Sequence, residues 1–333
     1  MFTIDYPFVQ NFLTKRKNII ITTHKTPDGD ALGSSLALFH ALNKDHNVKV
    51  IVPNEYPHYL KWLPGNDLVM VYEGSEVQAN ELIGQADLLF CLDFNKIYRV
   101  DTMTDVLTKS QSYKIMIDHH QEPDNFCDQI LSDSSIASTA ELMYDFLTNL
   151  SLPLQKDIAV CLYTGIITDT GSLKYPNVTQ KTHKIVSELM SYDIDHSSIH
   201  SNLFDKQNKS RLKLLRICLD NLQLLDHQNT AFMFLEEKDL LQCNYQKGDT
   251  EGFVNMPLSL NNINFSAFFI AFKDGVKMSF RSKNDFDVNL FAKQYFNGGG
   301  HKNASGGVLK EKNMDEVVEY FKQVLDNFLH EKK

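Results

Sequence analysis

No apolar run in this chain approaches the roughly twenty residues that a membrane-spanning helix requires, although 43% of its 333 residues are hydrophobic. The N-terminal residues lack the basic start, apolar stretch and small-residue cleavage site of a secretory signal, so a cytoplasmic protein with no membrane partner is expected. Cysteine is sparse: Cys91, Cys127, Cys161, Cys218 and Cys243 are scattered, odd in number and never form a CxxC pair. That pattern excludes a disulfide framework and a zinc knuckle, and leaves small, reduced, buried residues. Cations are also in short supply, with 33 Lys and Arg against 42 Asp and Glu and a formal net charge of −9. A protein that tracks long duplex nucleic acid through many phosphate contacts is therefore disfavoured. Small anionic substrates stay open, because metal ions and a few cationic side chains can invert the field inside one cleft. There is no internal repeat or low-complexity tract, and the single tryptophan, Trp62 in YLKWLPG, reads as a packed turn residue before a base-stacking platform.

The length suggests two domains. In the N-terminal half, residues 18–23 (NIIITT), 48–52, 86–93 (ADLLFCLD) and 113–118 (YKIMID) are short apolar runs of the kind buried on both faces of a parallel sheet. Helical periodicity follows in ALGSSLALFHALNKD, in STAELMYDFL with Ser138 or Thr139 as cap, and in DIAVCLYTGIITDTG. From about Tyr192 the texture turns polar, then gives a basic amphipathic helix read as an interdomain connector. Beyond it AFMFLE, NFSAFFIAF and VKMSFRS have strand character, the last two joined by a turn at Lys273, Asp274 and Gly275. The expectation is an α/β protein: a doubly wound, mainly parallel sheet in residues 1–190, a helical linker over 191–226, and a smaller α/β C-terminal domain in 227–333.

His24, Asp28, Asp30, Asp93, His119 and Asp169 each fall at or just after the end of an apolar strand or helix. A doubly wound sheet gathers the carboxyl ends of its strands along one edge, so residues far apart in sequence can share one crevice. In HKTPDGDALG, Pro27 fixes the loop, Gly29 lets the backbone turn, and Asp30 opens the next helix. Each motif alone is matched by a bland reading: Asp-Gly is a common turn and Asp a common cap. Four separate element ends delivering carboxylates and imidazoles to one edge are much harder to assign to chance. Arg99, six residues beyond Asp93, and Arg281 in SFRSK could hold phosphate bidentately or be ordinary surface arginines. Gly298, Gly299, Gly300, Gly306 and Gly307 surround His301 in NGGGHKNASGG, which suits either an anion cradle of backbone N–H groups or a tight turn between strands.

In order and character, HKTPDGDALG, the Asp of CLDFN, IDHH and the Asp of IITDTG resemble the four motifs of the DHH phosphoesterases, and NGGGHKNASGG resembles the signature of the DHH-associated domain. The likeness spans nearly the whole chain, and its layout is most similar to the nanoRNase A group. It implies one cation held by His24, Asp28 and Asp93 and a second by Asp30, Asp93, His119 and Asp169, with Asp93 shared. Ligands without thiolate favour Mn2+, with Mg2+ or Co2+ as substitutes. His120 would act beside the phosphate as hydrogen-bond or proton donor, and Asp118 would orient a ligand histidine. Arg99, Arg281, Gly299, Gly300 and His301 would bind substrate.

The implied activity is hydrolysis of short oligoribonucleotides to mononucleotides, and of 3′-phosphoadenosine 5′-phosphate to AMP, by a homodimer. The same chemistry on cyclic di-AMP or its linear product pApA, on pyrophosphate or on polyphosphate is the alternative. A nucleotide-binding regulator would be marked by a missing ligand, and none of the six is missing. Phe94 and Asn95 depart from the small hydroxylated residue that many relatives carry after the aspartate, which puts substrate choice near Arg99 in question.

Overall fold

The computed structural model describes residues 4–206 and 208–331, and the chain divides into two compact units, Met1–Lys206 and Gln207–Lys333. The first is built on β1 (Asn18–Thr23), β2 (Asn47–Val52), β3 (Met70–Val71), β4 (Leu88–Leu92), β5 (Tyr113–Asp118) and β6 (Gln129–Ser132). Its helices are α1 (Tyr6–Phe12), α2 (Gly29–Leu42), α3 (Glu76–Gly84), α4 (Thr104–Lys109), α5 (Thr139–Asn149), α6 (Lys156–Asp169), α7 (Gln180–Met190) and α8 (His196–His200). The six strands run parallel in the order β3-β2-β1-β4-β5-β6.

Both faces of that sheet are apolar because both are covered. Ile19 and Ile21 of β1 enter a core with Leu36 of α2, Phe146 of α5 and Leu162 of α6. Ile20, between them, points the other way, into a core with Leu89, Met116, Ile83 of α3 and Leu107 of α4. The strand order reverses between β1 and β4, and in open α/β sheets that switch point opens a crevice beyond the strands' carboxyl ends. Among the described residues no helix is long and apolar enough to cross a membrane.

Helices α2 and α6 pack closely through glycine. A Cβ on Gly33 would lie 2.5 Å from the Cys161 carbonyl oxygen, and one on Gly165 would lie 2.6 Å from the Ala140 Cβ. Gly29 has the same reason for its identity: its missing Cβ leaves room for the Thr168 side chain, and its φ is not the positive one that a tight turn would demand. Gly33→Ala is accordingly expected to cost about 1–3 kcal/mol of stability, the usual penalty of overpacking. Urea unfolding with an unchanged midpoint would contradict this.

The second unit comprises α9 (Lys209–Asp220), β7 (Gln223–Leu225), β8 (Thr230–Leu235), α10 (Glu237–Gln242), β9 (Phe265–Phe272), β10 (Gly275–Ser282), α11 (Val288–Tyr295), β11 (Gly299–His301), β12 (Ala304–Lys310) and α12 (Met314–Glu331). Its sheet order is β11-β12-β10-β9-β8-β7, antiparallel except between β8 and β9. Phe269, Phe280 and Phe321 fill one side of it, and Phe268, Met233 and Leu214 the other. The stretch 191–226 is shared between the units: Ile199 and Leu203 are buried in the first core, whereas Leu214 and Cys218 of α9 are buried in the second.

Two local features refine the sequence reading. The β9–β10 hairpin turns on two residues, Lys273 and Asp274, since Gly275 already pairs with Phe272. The glycine-rich stretch is itself a hairpin, with Gly299, Gly300 and His301 of β11 opposite Gly306, Ser305 and Ala304 of β12. Its glycines allow close backbone approach: a Cβ on Gly307 would lie 2.5 Å from the Phe296 carbonyl oxygen.

Candidate active site

The six residues come together beyond the carboxyl ends of β1 and β4, at the switch point. His24 follows the last residue of β1, and its Nδ1–H donates to the Lys25 carbonyl at 2.8 Å, which turns Nε2 toward the carboxylates. The loop beyond is tied on both sides, by Lys25 N–H to the Arg99 carbonyl at 2.7 Å and Thr26 N–H to Asn54 Oδ1 at 2.7 Å. Asp28 divides its carboxylate: Oδ1 caps α2 by accepting from the N–H groups of Asp30 and Ala31, both at 3.0 Å. Its Oδ2 stands 3.8 Å from His24 Nε2. The bland reading of Asp28 as a helix cap and the ligand reading are thus compatible.

Asp93 follows β4 with φ at 63°, a left-handed backbone uncommon for a residue with a side chain, and its N–H is held by the Ile117 carbonyl at 3.0 Å. Its two oxygens face different partners. Oδ2 lies 3.4 Å from His24 Nε2, whereas Oδ1 lies 3.6 Å from His119 Nε2 and accepts the Thr139 hydroxyl at 2.8 Å. Asp30, 1% exposed at the start of α2, accepts from both leading amides of α5: Thr139 N–H at 2.6 Å and Ala140 N–H at 2.8 Å. His119 donates Nδ1–H to the Ile136 carbonyl at 3.3 Å and turns Nε2 toward Asp169 Oδ2 at 3.4 Å and Asp30 Oδ2 at 3.8 Å. Asp169 comes from the last residue of α6, a helix end and not a strand end.

Asp118 corrects one expectation. Both of its oxygens serve His120, Oδ1 with Nδ1 at 2.7 Å and Oδ2 with the backbone N–H at 3.0 Å, while His119 is oriented by the Ile136 carbonyl. Asp118 is fully buried, so its charge would be costly without those partners.

The protonation equilibria reflect crowding. Burial and the neighbouring Asp93, Asp169 and Asp28 hold the Asp30 carboxyl well above its usual range. Burial works against the charge of Asp93 too, but the contact with His24 and the imidazoles of His120 and His119 outweigh it and hold that carboxyl low. Burial, then Asp93, push Asp118 up to about 6. Burial, reinforced by the Arg99 guanidinium, keeps His120 well below an ordinary imidazole. Arg99 is therefore near enough to act on the site electrostatically.

Phe94 is fully buried and stacks on Phe126 at 5.8 Å, so it packs in the core rather than facing the crevice. Asn95 bridges loops, with Nδ2 donating to the Gln121 carbonyl at 2.6 Å and Oδ1 accepting from Arg99 Nη1 at 3.5 Å. The remaining candidates lie in the second unit. Arg281 and His301 sit opposite the same residue, Ala304, one on either side of β12. Gly300 is not an open anion donor, because its N–H is taken by Asn289 Oδ1 at 3.0 Å. The sequence reading missed the part played by Thr139, whose only signal was its place in the cap motif STAEL.

The donor set suits divalent cations. Atoms of His24, Asp28 and Asp93 converge within 4.8 Å of one another, and so do those of Asp30, Asp93 and His119. Their spacings of 3.4 and 3.8 Å at His24 are longer than those of a well-formed hydrogen bond. Two atoms that share one cation at about 2.1 Å stand about 3.0–3.5 Å apart, so only a slight closing is needed. Asp169 adjoins the second group through His119.

Known proteins carry the same organisation. Residues 18–166 match the DHH family, N-terminal domain, and residues 229–327 match the DHHA1 domain. A Streptococcus mutans protein named as a probable bifunctional oligoribonuclease and PAP phosphatase NrnA is 32% identical over 292 residues, 86% of this chain and 88% of that one. The Bacillus subtilis bifunctional oligoribonuclease and PAP phosphatase NrnA is 29% identical over 291 residues, with the same shares covered. The crystal structure of an exopolyphosphatase-related protein from Bacteroides fragilis superimposes with a TM-score of 0.92 at 39% identity, covering 97% of this chain and 96% of that one. Matched in both domains and by relatives along most of their length, the chain belongs to the DHH family and is a phosphoesterase.

Proposed function

We propose that this enzyme uses two divalent cations, preferentially Mn2+, to hydrolyse short oligoribonucleotides to mononucleotides and 3′-phosphoadenosine 5′-phosphate to AMP. The observation that carries this reading is Asp93, whose two oxygens face two different donor sets at the switch point of the sheet. His24, Asp28 and Asp93 hold one cation, and Asp30, Asp93, His119 and Asp169 the other. Four carboxylates balance two dications, and imidazole with carboxylate suits Mn2+. When bound, such a pair neutralises charge on a phosphoryl group and lowers the pKa of a water toward about 7.

The protein's own groups supply the rest. Asp118 holds Nδ1 of His120, so any hydrogen bond from His120 to a substrate must come from Nε2. The negative charge of a phosphate alongside favours the imidazolium form, and its Nε2–H then donates to a phosphoryl oxygen or passes its proton to the leaving alkoxide. Arg99 adds positive charge near His120 and His24. In the second unit we assign nucleotide binding to Arg281 and His301, with the Gly299–Gly300 backbone shaping the approach.

The choice of substrate is supported by the Streptococcus mutans and Bacillus subtilis relatives, whose names carry both activities. A net charge of −9 favours short substrates over long polymers. The likeness to the exopolyphosphatase-related Bacteroides fragilis structure supports a second reading, cleavage of polyphosphate. Purified enzyme with Mn2+, offered pApA, longer oligoribonucleotides, 3′-phosphoadenosine 5′-phosphate, cyclic di-AMP, pyrophosphate and polyphosphate, separates the two. Release of mononucleotides from the short RNAs and of AMP is expected; activity on pyrophosphate or polyphosphate alone would overturn the nucleotide reading.

A further inference from the structure

We propose that Thr139 is a positioning residue that fixes one oxygen of Asp93 and thereby sets the affinity of the second cation set independently of the first. The inference rests on the two-cation reading above.

Helix α5 begins at Thr139, and its cap is the preceding residue: Ser138 Oγ accepts from Glu141 N–H at 3.1 Å. The Thr139 side chain is therefore not needed to end the helix, yet it is fully buried. Its single hydroxyl proton goes to Asp93 Oδ1 at 2.8 Å, while its own N–H and that of Ala140 go to Asp30 at 2.6 and 2.8 Å. One helix end thus holds two carboxylates that arrive from different elements, the end of β4 and the start of α2.

The contact is selective between the oxygens of Asp93. Oδ1 takes the Thr139 hydroxyl and lies 3.6 Å from His119, in the set with Asp30 and Asp169. Oδ2 faces His24 at 3.4 Å, in the set with Asp28. A donor at 2.8 Å restricts rotation of the carboxylate and leaves one lone pair of Oδ1 directed at the second set. Without the hydroxyl, Oδ1 loses its donor in a buried setting and the second set loses its aim, while Oδ2 keeps its partner His24.

The test is calorimetric titration of the metal-free full-length chain with Mn2+. The wild-type chain is expected to show two binding events. Asp28→Asn, which retains a capping side chain, weakens one and so identifies the first set. Thr139→Val keeps the side-chain volume and is expected to weaken the other event by about ten- to a hundredfold, with the first nearly unchanged. Thr139→Ser restores the hydroxyl and is expected to bind like wild type, and Thr139→Ala must follow valine. Equal weakening of both events, no weakening, or a serine variant as poor as valine would overturn the role of Thr139. A single event in the wild-type chain would instead overturn the two-cation reading.

Discussion

On the two-cation reading, Asp93→Ala is expected to lower kcat by at least about a thousandfold and to remove tight binding of both cations, because each set would lose the carboxylate it shares with the other. Loss on this scale follows from position: Asp93 lies at the carboxyl end of β4, beside β1, with His24 3.4 Å from one oxygen and His119 3.6 Å from the other. Steady-state kinetics alongside the Mn2+ content of the desalted protein check it. Near wild-type turnover, or two cations retained at full affinity, would show that Asp93 is not shared. Asp28→Asn serves as the contrast, since it touches one set and its side chain is 54% exposed to solvent.

His120→Asn should lower kcat by about a hundred- to ten-thousandfold while both cations remain bound, the range expected when a positioned hydrogen-bond or proton donor is lost. His120 differs from His119 in its partners. Its Nδ1 is committed to the buried Asp118 at 2.7 Å, whereas His119 leans on a backbone carbonyl and turns Nε2 to three carboxylates. Unaltered kcat would reduce His120 to a structural role. Loss of a cation would move it into the ligand set.

Much of the candidate site was legible in the sequence because residues at strand ends follow from local patterning. The runs NIIITT, LLFCL and YKIMID are short, β-branched or apolar, and flanked by polar residues, so β1, β4 and β5 and the residues after them could be located. Strand order was not legible, since nothing local in β1 and β4 states that they are neighbours; it emerges from which faces bury. Short edge strands carried too little pattern: β3 has two residues, and β11 was hidden among glycines. Nor could the sequence assign partners across space. Asp118 adjoins both histidines in the chain but pairs with His120, and Thr139 reaches Asp93 across 46 positions. Glycine misled in the other direction. Gly29 reads as a turn residue and serves the fit of α2 against Thr168, while the glycines near His301 permit backbone contact within a hairpin.

The sharing of Asp93 is tested most directly by diffraction from crystals grown with Mn2+ and measured at the manganese absorption edge. Two anomalous peaks are expected, one coordinated by His24 and Asp28 and the other by Asp30 and His119, with a carboxylate oxygen of Asp93 on each. A single peak, or two peaks of which one lacks Asp93, would contradict the shared site.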